Sequence, residues 1–258
     1  MPIDISLFYF IVLYISSVYF DRMKEERKTT VLICLAVICV LIIGLRNPAY
    51  WIDTMAYVES FEMTPPLADA SISDTIYGYS EKGYYLLCAF IKTFSNSVEF
   101  YLVIVGLLSM TFLFKSIRQY CLLPVLGLCI YIARYMLARD MNQMRAGLAI
   151  SVVVSFSYLL VKGSIKDELK YVLICVLASF VHTSMLTAIP VVILNHVRLS
   201  KKWIYCSVLL SFFVSATFSK QIMDFISQSD IIRDMATDYV DKQGNNDKAY
   251  AADLTNPM

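Results

Sequence analysis

Arg139, Asn142, Gln143 and Arg145 stand together between two long apolar runs, Leu122 to Leu137 and Leu148 to Val161. Guanidinium groups grip phosphate or carboxylate in a planar, two-point manner, and amides suit sugar hydroxyls and phosphate oxygens. If both runs cross a bilayer, these charges lie at a membrane face or in a cavity just inside it, where a charge without a partner is costly. The pattern therefore points to a site that meets an anion. On a helix, Arg139, Asn142, Gln143 and Ala146 share one face at three- and four-residue spacing, with Asn142 also beside Arg145. The small residues Ala146, Gly147, Ala149 and Ser151 let a second helix approach closely.

Other groups that could join them are scattered along the chain. Arg46 ends an apolar run and Asp53 follows it; Glu81 and Tyr84 bracket the start of a short apolar stretch; Arg134 lies inside an apolar run; His182 precedes Thr183 and Ser184. An imidazole or carboxylate next to a bound anion can take a proton from an attacking hydroxyl. Each residue also has a plainer role. Arg46 could be a snorkelling anchor, Asp53 and Glu81 solvated loop acids, His182 a hydrogen-bonded turn, and Arg139 and Arg145 helix-end charges paired with Asp140. Arg134 fits the anchor role least well, because it sits within the apolar run. Tyr50, Trp51, Tyr57, Tyr84 and Tyr85 could stack on a sugar ring. There are two histidines, His182 and His196, and no HExxH or DxD spacing, so no metal site and no cofactor is expected. GxGxxG and GxxxxGK[ST] are absent too, which leaves no basis for a soluble nucleotide-binding module or a nucleic-acid partner.

The elements that must hold these residues are helices in lipid. With 258 residues, 58% hydrophobic, and a mean hydropathy of +0.62, the chain reads as an all-α polytopic membrane protein. Apolar segments run Ile3–Phe20, Val31–Leu45, Gly83–Phe94, Phe100–Phe114, Leu122–Leu137, Leu148–Val161, Tyr171–Val181, Met185–Leu194 and Trp203–Phe218. That makes about eight to nine membrane segments, several shorter than the ~20 residues a perpendicular crossing needs, so some are short or re-entrant. The first lacks a basic start and a small-residue cleavage site and is expected to be retained. Seven cysteines in or beside apolar runs, without a CxxC pair, look like small buried side chains.

Basic residues gather in four short segments: Arg22, Lys24, Arg27 and Lys28; Lys115 and Arg118; Lys162, Lys166 and Lys170; Arg198, Lys201 and Lys202. The positive-inside rule makes all four cytoplasmic and places the N-terminus outside. Gly83–Phe94 is then a short dip, and Tyr171–Leu194 a hairpin turning near His182. The acidic segment 46–82 is one sizeable external loop, with Pro65-Pro66 and one short helix around Thr54–Met63. Residues 1–219 form the membrane domain, and 220–258 a polar, partly amphipathic tail.

In order along the chain come Gly44-Leu45-Arg46 with Asp53 and Tyr57, Glu81-Lys82-Gly83-Tyr84, Asn142-Gln143-Met144-Arg145-Ala146-Gly147-Leu148-Ala149, and Phe180-Val181-His182-Thr183-Ser184. Over most of residues 30 to 200 this series resembles the EpsG-like family of Wzy-type polysaccharide polymerases. The resemblance implies a multi-pass protein of the bacterial inner membrane that makes O-antigen, capsule or exopolysaccharide. It implies joining of repeat units carried on undecaprenyl diphosphate at the outer face, in the company of a flippase and a chain-length regulator. Two departures stand out: Arg145 is followed by Ala146 where the family often has Gln, and related proteins usually continue for several more spans, so a C-terminally truncated chain is expected.

The mechanism expected from these residues is metal-independent glycosyl transfer. Arg145 and Arg139, helped by Arg134 or Arg46, would neutralise the departing diphosphate, His182 or Asp53 would take the acceptor's proton, and Asn142, Gln143, Glu81 and Tyr84 would hold substrate. Two other readings use the same residues: a glycosyltransferase adding single sugars from a lipid-linked donor, and an organic-anion transporter.

Overall fold

The computed structural model describes residues 14, 15, 17–72, 81–197 and 200–227. Most of the first expected span, residues 73–80 of the acidic loop, and the tail beyond Ser227 lie outside the described residues. Among the described residues every regular element is helical. In chain order these are α1 (Glu25–Gly44), a 3-10 turn (Pro48–Tyr50), α2 (Ile52–Met63), α3 (Lys82–Phe94), α4 (Val98–Tyr120), α5 (Pro124–Tyr131) with a π-helical turn (Ile132–Met136), α6 (Met144–Ser155), α7 (Tyr158–Val161), α8 (Ile165–Ser179), a 3-10 stretch (Thr183–Ala188), α9 (Pro190–His196) and α10 (Lys201–Ser227).

Among the described residues three segments are long and apolar enough to cross a membrane: α1, α4, and the 18 residues Met144–Val161 that α6 and α7 make together. Their apolar side chains are not all inside the protein. Ile33, Val37, Ile38, Leu41 and Ile42 of α1 are exposed, as is Leu107 of α4. In water such a face would be a liability, whereas hydrocarbon is its proper solvent. The chain is a helical membrane protein.

Local signals set the helix ends. The Ser97 hydroxyl accepts from the Phe100 N–H at 3.2 Å and starts α4, with Glu99 in the first turn. Pro124 starts α5, and its next two N–H groups find a partner from far away: Val125 and Leu126 donate to the Asp21 carboxylate at 3.0 and 2.9 Å. This cap fixes the loop before α1 against the base of α5.

α4 lies along both α1 and α6. Leu32 near the start of α1 packs with Ile117 near the end of α4, while Ile43 and Cys39 pack with Met110, so these two run antiparallel. Met144 at the start of α6 joins Tyr101, Leu102 and Val105 at the start of α4. At the other end the Tyr158 N–H donates to the Tyr120 hydroxyl at 2.6 Å, so α6 and α7 run parallel to α4. One end of the bundle therefore collects Arg46, Met144 and the start of α4. The opposite end collects Lys28, Lys115, Arg118 and Lys162.

The expected hairpin is present. α8 runs from Tyr171, beside Leu159 and Leu160, to Ala178, and the chain turns at Phe180–His182. It then doubles back through Met185, Ile189 and Val192 until Asn195 donates to the Leu160 carbonyl at 3.0 Å and His196 meets Glu168.

The acidic segment is less open than its composition suggests. α2 puts Thr54, Tyr57, Val58 and Phe61 inward at helical spacing, and Phe61 stacks on Tyr101 at 4.4 Å between ring centroids. With 13 residues, α3 is about 20 Å long, too short to cross, and lies with α2 beside the first turns of α4. α10 belongs to a second unit and presents Trp203, Tyr205, Leu209, Phe212 and Phe213 as exposed apolar side chains.

Candidate functional site

Glu81 immediately precedes α3, His182 lies just after α8, and one backbone carbonyl ties the two segments. The first-turn N–H groups of Gly83 and Tyr84 both donate to the Phe180 carbonyl, at 2.9 and 3.3 Å, and that of Tyr84 is shared with the Glu81 carbonyl at 3.1 Å. Only glycine permits this approach: a Cβ at position 83 would lie 2.8 Å from the Phe180 Cβ and 2.9 Å from its carbonyl oxygen. The junction sets the Glu81 carboxylate 2.8 Å from Nδ1 of His182.

The other Glu81 oxygen forms an ion pair with Arg145, in the first turn of α6. The Arg145 guanidinium also lies over the Tyr57 ring of α2, 4.7 Å from its centroid. Four elements thus converge on one carboxylate that is only 6% exposed. An isolated buried carboxylate is costly, so a cation and a ring N–H on its two oxygens are what keep it there.

His182 is half-buried. Its burial, and then the charges of Arg145 and Arg139, push the imidazole below its ordinary 6.5. Glu81 pulls the other way, but Arg145 already balances its charge. The ring is therefore neutral at pH 7, donates Nδ1–H to Glu81, and keeps an accepting lone pair on Nε2.

A second ring of contacts braces this core. Asn142 takes the Asp53 N–H at 3.2 Å and donates to the Asp53 carboxylate at 3.1 Å, so one amide clamps the start of α2. Burial raises the Asp53 carboxyl, with the Arg145 charge opposing. The Thr54 hydroxyl donates to the Met141 carbonyl at 2.6 Å and accepts from Arg46 at 3.2 Å. Arg46 also donates to the Ile43 carbonyl and the Met144 sulfur; burial pulls it down to about 10, so it stays charged at neutral pH.

The single helical face expected for 139–146 is not formed. Residues 137–143 are a turn, and α6 begins only at Met144. Asp140 accounts for this by pointing inward, 2% exposed, to accept from the Tyr131 hydroxyl. Burial pushes its carboxyl up to about 6 while the Tyr131 hydrogen bond and the Arg46 charge pull it down. Gly147 leaves room for that side chain, since a Cβ there would lie 2.9 Å from Asp140 Oδ1. With Asp140 inside, Arg139 and Gln143 bond each other on the outer side of the turn and Asn142 turns to Asp53.

Residues 29–257 match the model of the EpsG family. The chain belongs to the EpsG family. Neither the curated proteins nor the solved structures compared with it gave a match. As an EpsG-family chain it is a polysaccharide-polymerase-like membrane protein.

Of the residues singled out in the sequence, the EpsG-family fold brings Arg46, Asp53, Glu81, Asn142, Arg145 and His182 into one network, with Arg139 near enough to act on His182. Two do not join. Tyr84 is fully buried and its phenol meets that of Tyr101 at 2.7 Å, so it cannot touch a sugar in this conformation. Arg134 is exposed on the π-helical turn, 5.7 Å from the ring of its neighbour Tyr135, apart from the other charges. Thr54 was not singled out beforehand, although its spacing with Tyr57, Val58 and Phe61 marks the buried face of α2. Among the described residues no three His, Cys, Asp or Glu side chains gather as a metal-ligand group.

Proposed function

We propose that this chain polymerises glycan repeat units carried on undecaprenyl diphosphate, at the outer face of the bacterial inner membrane. The observation that carries the proposal is the buried Glu81 carboxylate joining His182 to Arg145, a base next to an anion-binding group. The site end of the bundle lies opposite the end that holds Lys28, Lys115, Arg118 and Lys162, and the positive-inside rule supports an extracytoplasmic site.

In this reading the growing glycan on its lipid diphosphate is the donor. A hydroxyl on the non-reducing sugar of a new lipid-linked unit attacks the donor's anomeric carbon. The new glycosidic C–O bond forms, the bond from that carbon to the phosphate oxygen breaks, and the hydroxyl proton passes to Nε2 of His182. Arg145 and Arg139 match the charge that grows on the departing diphosphate. Asp53, clamped by Asn142, shapes the acceptor side.

The test is Arg145→Ala in cells whose surface glycan depends on this chain. Long chains disappear even when the variant's amount in the membrane, which loss of the Glu81 partner lowers, is matched to that of wild type. Full-length glycan made by that variant overturns the proposal.

A further inference from the structure

Glu81 occupies the position on Arg145 that an anionic substrate needs. Its carboxylate bridges two partners of different kinds: the guanidinium of Arg145, and Nδ1 of His182 at 2.8 Å. Arg145 has 12% of its side chain exposed and its guanidinium is paired with the Glu81 carboxylate, so an arriving phosphate oxygen competes with that carboxylate. Arg46 offers no substitute, being turned inward onto the Ile43 carbonyl, Thr54 and Met144. Arg139 is on the outer side of the turn, where among the described residues its guanidinium bonds the neutral Gln143 amide. An anion can therefore be gathered first at Arg139 and then compete for Arg145.

We propose that Glu81 is an internal stand-in for the lipid diphosphate: the diphosphate displaces it from Arg145, and the released carboxylate then serves His182 alone. This rests on the reading of the site given above and adds how the site is regulated. Glu81 cannot go far, because its backbone is anchored to Phe180 through the N–H groups of Gly83 and Tyr84. The exchange changes the base as well as the anion site. While Glu81 is neutralised by Arg145, it does little to favour positive charge on His182. Once Arg145 is engaged by phosphate, the carboxylate stabilises an imidazolium and Nε2 becomes a stronger proton acceptor. The charged groups facing His182 are Glu81 before α3, Arg139 in the turn, and Arg145 on α6.

The experiment measures binding of undecaprenyl diphosphate to the full chain in nanodiscs. Wild type is compared with Glu81→Gln, Arg145→Gln and the double variant. Glu81→Gln, nearly isosteric but uncharged, is expected to bind about tenfold more tightly, equivalent to ~1.4 kcal/mol, while turning over more slowly. Arg145→Gln binds more weakly, and the double variant behaves as Arg145→Gln, because the competition runs through that guanidinium. Glu81→Asp, which keeps the charge on a shorter arm, falls between wild type and Glu81→Gln and serves if the amide does not accumulate. Unchanged or weaker binding by the Glu81 variants, with Arg145→Gln still weakened, overturns the stand-in and leaves the diphosphate site intact. Unchanged binding by Arg145→Gln overturns the site reading beneath it.

Discussion

Two histidine–glutamate pairs sit at opposite ends of the same helical unit with almost the same contact distance, 2.8 Å for His182 with Glu81 and 2.7 Å for His196 with Glu168. Distance does not distinguish them, and surroundings do. The two carboxylates are about equally buried, but the His182 side chain is 30% exposed and its glutamate also holds Arg145, whereas His196 is 60% exposed and among the described residues Glu168 holds no arginine. Buried, the first pair is a tuned three-group device. The second, at the basic end, is a strap that ties α9 back to the start of α8. Contacts alone do not make a site; burial and a third charge of the right sign do.

The largest expected contrast is in activity. His182→Gln lowers the polymerisation rate by about 100- to 10,000-fold, the range for loss of a general base, while His196→Gln changes it by no more than about twofold. Glycan length distributions and initial rates with lipid-linked repeat units check both. Equal losses from the two variants break the comparison.

Stability should separate the pairs next. Glu81→Ala takes the carboxylate from the largely buried Arg145 guanidinium and is expected to destabilise by about 3–5 kcal/mol. Glu168→Ala, whose partner faces outward, costs about 0–1 kcal/mol. Unfolding in detergent or bicelles measures the two side by side. Asn142→Ala removes two hydrogen bonds that hold α2 to the turn and is expected to cost about 1–2 kcal/mol by the same measurement.

The smallest effect sharpens the electrostatic part. Folding favours the neutral His182 ring, so its contribution to stability is present above pH 6.5 and is lost as pH falls below it toward the depressed folded value. Activity that needs the neutral base has an acid limb below 6.5 for the same reason. Arg139→Gln removes one of the charges that depress the ring, and the acid limb of kcat/KM moves up in pH. A limb that stays put or moves down shows that Arg139 does not act on His182.

Much of the architecture was legible from composition and charge spacing. Membrane helices announce themselves through unbroken apolar length, and the hairpin at His182 followed from two stretches too short to cross and from the basic residues at both ends. The fate of Arg139 to Ala146 was not legible. Helical spacing put Arg139, Asn142, Gln143 and Ala146 on one face, yet the buried Asp140 and its bond to Tyr131 open the helix into a turn. Arg134 misled for a related reason: an arginine inside an apolar run looks functional, but a π-helical turn rotates it out of the bundle. Tyr84 looked like a surface aromatic because it opens a short helix beside a polar loop, and the packing of α2 and α3 on α4 buries it.

By itself the sequence determined that the protein is helical and lives in lipid, and it singled out most of the ionisable residues that the fold gathers into one network. Hydrophobic length and charge distribution are properties of the chain and need no partner. Only the tertiary structure decided that Glu81 stands between His182 and Arg145. These three lie far apart in sequence, and nothing in their spacing encodes which carboxylate a buried guanidinium selects. The Gly83 contact with Phe180 and the inward turn of Asp140 made that choice.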